Sequence, residues 1–100
     1  MKLYHRTTTE AAAEILRYGF KDTDGDYLTA NTYSGVWLSD IPLGETEGAR
    51  GEVLFEVWLS LNEQEMAQFE WVEDGKPYRE WLVPAALINA EGQISVVPEG

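Results

Sequence analysis

Two side chains in this sequence carry proton or charge chemistry in a setting worth weighing. They are His5, the only histidine, and Glu80, a carboxylate between Arg79 and Trp81 in a run of aromatic and aliphatic residues. An imidazole titrates near neutrality and both donates and accepts hydrogen bonds. A fixed carboxylate stabilises positive charge that develops on a reacting centre. Taken alone, each also has a plain structural reading, His5 as a satisfied histidine and Glu80 as a surface acid paired with a neighbouring cation. Other chemistries lack their parts. There is no Cys, which removes thiolate nucleophiles, disulfides and Cys-ligated zinc. A Ser-His-Asp arrangement would need His5 as its base, and no Ser stands in a Gly-x-Ser-x-Gly setting. Asp22, Asp24 and Asp26 hold the first three ligand positions of a calcium loop, but Tyr27 stands where that loop needs Gly and Tyr33 where it ends in Glu. No metal site is therefore expected.

The elements that position these residues follow from pattern. Leu3-Tyr4-His5 is a short apolar strand, and a helix follows at once. Thr7 and Glu10 stand in the capping-box relation, Ala12, Ile15, Leu16 and Gly19 recur on one face, and Gly19 is a natural stop. His5 thus sits just before a helix N-terminus, where backbone N–H groups favour a polar or anionic ligand. Residues 21–34 are polar and turn-rich, which predicts a mobile excursion able to cover a site. Residues 35–39 read as a buried strand and 42–50 as a loop. Val53, Phe55, Val57 and Leu59 alternate with Leu54, Glu56, Trp58 and Ser60, the clearest strand in the chain. A short helical turn over 62–68 precedes two strands, 69–72 and 78–83, with a hairpin signal at Asp74-Gly75 between them. By alternation Tyr78, Glu80 and Leu82 share one face of the second strand and Arg79, Trp81 and Val83 the other. A helical turn from Pro84 to Asn89 and a strand over 94–97 close the chain.

One hundred residues with 44% hydrophobic and 12% aromatic side chains make one domain spanning 1–100, of mixed α+β class and dominated by strands. Eighteen Asp and Glu against seven Lys and Arg give a net charge of −11, which disfavours binding to a nucleic-acid backbone. Glu45, Glu47, Glu52, Glu56, Glu63, Glu65, Glu70, Glu73 and Asp74 concentrate the acids, read as a solvated face in preference to a docking surface for a basic partner. The N-terminal residues do not resemble a signal peptide, and no run approaches the ~18 apolar residues of a membrane span. The expectation is a soluble, cytoplasmic protein.

Three segments taken together carry a resemblance. Leu3-Tyr4-His5-Arg6-Thr7 with the helix ending in Ile15-Leu16-Arg17-Tyr18-Gly19-Phe20, then Gly35-Val36-Trp37-Leu38-Ser39-Asp40, then Tyr78-Arg79-Glu80-Trp81-Leu82-Val83, follow one another in a telling order. They resemble the strand-end motifs of ADP-ribosyltransferase catalytic domains, in the branch of poly(ADP-ribose) polymerases and diphtheria-like toxins. The resemblance implies two small, mostly antiparallel sheets with one main N-terminal helix and a cleft between them. It implies NAD as co-substrate, and it carries the family's roles onto matching positions. His5 bonds a ribose hydroxyl of NAD, and Arg6 binds the nicotinamide amide through its backbone, with Thr7 beside it. Trp37 stacks on the nicotinamide in place of a Tyr, and Glu80 stabilises the oxocarbenium formed as nicotinamide leaves. Indole is a fitting replacement, since it has the strongest aromatic face for a cation.

Departures from the family pattern are Arg6 in place of Gly, the absence of a Ser and second Tyr after the middle strand, and a short chain. The expected activity is mono-ADP-ribosyl transfer or NAD glycohydrolysis, with the acceptor left open. The same scaffold also suits a catalytically silent module that binds NAD, ADP-ribose or a protein partner. An RNA 2′-phosphotransferase ranks below both, because seven cations are few for holding RNA.

Overall fold

The computed structural model describes residues 1–26 and 32–99. Over these the chain forms β1 (Lys2–Thr7), α1 (Thr9–Tyr18), β2 (Thr23–Asp26), β3 (Thr32–Ser39), β4 (Val53–Leu59), α2 (Glu63–Met66), β5 (Glu70–Trp71), β6 (Glu80–Val83), α3 (Ala85–Glu91) and β7 (Gly92–Val96). Six strands lie in the order β5-β6-β3-β1-β4-β7, every pair antiparallel, and β2 pairs with the first half of β3. The class is α+β as expected. The expected division into two sheets is corrected, because Tyr4 pairs with Ser39 and so joins the β1-β4-β7 half to the β3-β6-β5 half. That seam is narrow: β1 and β4 stay in register from Lys2↔Trp58 to Thr7↔Val53, whereas β1 and β3 share one position.

The alternation of β4 works as read. Phe55, Val57 and Leu59 are buried with Leu3, Leu38, Trp81 and Val83 in one core, beneath Ala12 of α1 and Ile88 of α3. Leu54, on the opposite face, is buried too, outside that cluster, as is Leu43 of the 40–52 loop. Leu16 departs from its expected place on the apolar face of α1 and is 59% exposed.

Helix α1 starts one residue later than the capping-box reading. Thr8 is the cap, its Oγ1 accepting from the Ala11 N–H at 3.1 Å, while Thr7 is still strand. The Glu52 carboxylate accepts from the Thr9 N–H at 3.2 Å and from Thr9 Oγ1 at 3.1 Å, so the chain itself supplies the anion at this helix start. Gly19 ends the helix at φ +88°, its N–H donating to Ile15 O at 2.8 Å.

The expected excursion over 21–34 is partly strand. β2 pairs with β3, which begins at Thr32 instead of Gly35 and passes from β2 to β6 at Gly35; Tyr27 and the rest of 27–31 lie outside the described residues. Asp22 Oδ1 accepts from the Ala85 N–H at 2.7 Å and caps α3. The turn between β5 and β6 spans 72–79, wider than the two-residue hairpin that Asp74-Gly75 suggests.

The acidic run is largely consumed by local tasks. Glu47 and Glu65 accept from the Gly44 and Asn62 N–H groups, Glu63 and Glu70 bind Arg79, and Glu73 binds Lys76. Among the described residues no helix is long and apolar enough to cross a membrane.

Candidate active site

His5, Trp37 and Glu80 stand on three neighbouring strands, β1, β3 and β6. A cleft of about 400 Å³ is lined by His5, Arg6, Trp37 and Glu80 together with Lys76 and the 47–50 segment. Four of the five residues singled out in the sequence therefore meet. Thr7 does not: it is buried and lines a second, smaller cavity of about 230 Å³ between α1 and β3. His5 and Trp37 line both.

Register decides which faces these side chains occupy. Tyr4, Ser39 and Glu80 lie opposite one another across β1, β3 and β6, and Trp71 of β5 lies opposite Glu80. Residues paired in this way share a face, and Trp37, two positions from Ser39, joins them. His5 falls on the other face with Leu3 and Phe55. Its ring meets Phe20 edge-on with centroids 5.4 Å apart.

The narrow seam lets His5 reach across. Its Nδ1 lies 2.8 Å from the carbonyl oxygen of Trp37. A carbonyl only accepts, so Nδ1 carries the proton and a neutral ring leaves Nε2 as an acceptor. Burial lowers the His5 pKa and outweighs the opposing bond to Trp37, which favours that neutral form.

Arg6 is committed elsewhere. Its guanidinium donates to both carboxylate oxygens of Glu99 at 2.8 and 2.9 Å, and its Nε donates to the carbonyl of Leu43. This two-point clamp ties β1 to the 40–52 loop and to the segment after β7, so the side chain builds the cleft wall. The bond to Glu99 raises the Arg6 pKa and holds the Glu99 carboxyl below the usual carboxylate range.

Glu80 is paired with a cation, as its plain structural reading expects, and that cation is Lys76. Lys76 Nζ lies 3.1 Å from Glu80 Oε1 and 3.2 Å from Glu73 Oε2. Its spacing, four residues before Glu80, is the one signal of it in the sequence. Trp37 meets Trp71 edge to face, centroids 5.5 Å apart, and the Trp71 indole N–H donates to Glu73 Oε1 at 2.8 Å. Chemically, the cleft offers an aromatic surface, one neutral imidazole acceptor and a carboxylate held by an ammonium. Among the described residues no group of three or more His, Asp or Glu is gathered as metal ligands would be. No family model matches the chain, and no curated protein or solved structure matches it.

Proposed function

We propose that this protein binds NAD and cleaves its nicotinamide-ribose bond, transferring ADP-ribose to an acceptor or to water. The observation that carries the reading is the meeting of His5, Trp37 and Glu80, from three neighbouring strands, at one cleft. In this reading the chain is a minimal ADP-ribosyltransferase. His5 Nε2 accepts from a ribose hydroxyl, and Trp37 offers its face to the pyridinium ring. Breaking the C1′–N bond sends its electron pair to the nicotinamide nitrogen and leaves positive charge on the ribose. The Glu80 carboxylate stabilises that charge, and an acceptor lone pair closes on C1′ with loss of its proton.

The opposite faces of His5 and Glu80 are bridged by the seam, where His5 lines both cavities. The second reading, a silent module for NAD or ADP-ribose, draws on one observation: the carboxylate is already held by Lys76.

Titration calorimetry with NAD, followed by overnight incubation and detection of free nicotinamide, separates the two. The enzyme reading expects binding by wild type and Glu80→Gln alike, with nicotinamide release lowered about 10²–10³-fold in the variant. Binding without release by either protein supports the silent module. Absence of binding removes NAD from the site altogether.

A further inference from the structure

The turn that leads into β6 places a cation on the carboxylate to which the proposed chemistry belongs. We propose that Lys76 is a tethered competitor for Glu80, an internal latch that must leave before Glu80 can serve a bound dinucleotide; this rests on the NAD reading above.

The geometry is that of a short arm folded back. Lys76 Nζ touches Glu80 at 3.1 Å and Glu73 at 3.2 Å, and it lies 5.3 Å from the centroid of the Tyr78 ring. All three contacts come from residues within four positions of Lys76, so the arm holds itself and is not locked by the core. The exit of the turn is fixed, because the Arg79 N–H donates to Asp40 Oδ1 at 2.9 Å and the Asp40 N–H to Arg79 O at 3.1 Å. Residues 74–77 are exposed, and among the described residues no backbone hydrogen bond ties them to another element. Gly75, at φ +82° with open space around it, gives the turn its pivot.

Burial acts against the Lys76 charge. The hydrogen bonds to Glu80 and Glu73 outweigh it and hold the ammonium above the ordinary lysine range, so the arm stays charged through neutral pH. While it is seated, the ammonium takes a lone pair of Glu80 and offsets the charge that would stabilise a ribosyl cation. The contact is also weak enough to yield, since partly exposed ion pairs contribute little.

The alternative role for a cleft lysine is attraction of the NAD phosphates, and it predicts the opposite sign. The test compares wild type, Lys76→Met and Lys76→Arg for NAD affinity by calorimetry and for nicotinamide release. The latch expects Lys76→Met to bind NAD about 3- to 10-fold more tightly and to release nicotinamide faster, with Lys76→Arg close to wild type. Weaker binding by Lys76→Met makes the lysine a phosphate ligand and overturns the latch. Equal affinities and rates overturn the latch alone and leave the NAD reading intact. If none of the three proteins binds NAD, that reading falls and takes the latch with it. Because Lys76 is exposed and outside the core, the methionine variant should melt within a few degrees of wild type, and its melting curve checks this.

Discussion

The imidazole of His5 bonds across to the carbonyl of Trp37 at 2.8 Å, close to the one position, Tyr4 opposite Ser39, at which β1 and β3 are in register. A side chain thereby links the two strands where the ladder is shortest. The same bond fixes the tautomer and leaves Nε2 as the ring's hydrogen-bond acceptor. His5 thus has a structural role in joining the strands, and it also lines the cleft.

That bond makes a pH prediction. Burial lowers the His5 pKa below its ordinary value of 6.5. The unfolded chain therefore takes up a proton at higher pH than the folded one, and stability is lost as pH falls from about 6.5 toward the lowered folded value. The depressed carboxyls of Glu52, Glu70 and Glu99 act in a separate window, below their ordinary value of 4.5. Urea unfolding across both windows should show two declines in the wild type, with His5→Asn removing the upper one. An upper decline that survives His5→Asn assigns it to another group. If NAD binds as proposed, its affinity should fall at lower pH than the start of this decline, as the folded protein titrates through the lowered His5 value, because that protonation removes the Nε2 acceptor.

Asn89 holds Phe20, which lines the smaller cavity. Its Oδ1 accepts from the Phe20 N–H at 2.8 Å and its Nδ2 donates to Phe20 O at 2.9 Å, so one side chain stands in for a backbone pairing and holds the exit of α1 against α3. Asn89→Asp keeps the acceptor and turns the donor into an oxygen facing a carbonyl. The loss should be about 1–3 kcal/mol at neutral pH, and it should shrink in acid, where protonation restores a donor. Thermal melts at two pH values check this. A loss that does not change with pH would mean that Asn89→Asp acts through packing.

Much of the frame is legible in the residues. The alternation over Val53–Leu59 and the stop at Gly19 depend on local pattern, which is what sequence carries best. The meeting of His5, Arg6, Trp37 and Glu80 at one cleft is implied by the resemblance of their three segments and by no pattern local to any of them. What escapes depends on contacts between distant segments. The capping of α1 by Glu52 and of α3 by Asp22 joins residues 43 and 63 positions apart, and no local signal announces either. β2 is hidden because Asp and Gly are poor strand formers, and pairing with β3 overrides that preference. The single sheet is hidden because one register position, Tyr4↔Ser39, decides between one sheet and two. Lys76 is hard to read beside Glu80 for another reason: Asp74-Gly75 signals a tight hairpin, which would carry the lysine away from the site, and the turn is wider.

The cleft wall hangs on Gly51. A Cβ placed there would lie 2.0 Å from the carbonyl oxygen of Thr7 and 2.6 Å from the Thr8 nitrogen, and the backbone sits at φ +127°. Both neighbours are backbone at the junction of β1 and α1, just after His5, so nothing flexible can give way. Gly51→Ala should therefore cost about 3 kcal/mol or more. Gly48, in the same loop at φ +86°, has nothing within 4 Å of the place a Cβ would take, so Gly48→Ala carries only the left-handed backbone penalty of about 1 kcal/mol. Urea midpoints of the two variants isolate the close approach from the backbone conformation. Equal losses would show that the loop moves away from β1 without penalty.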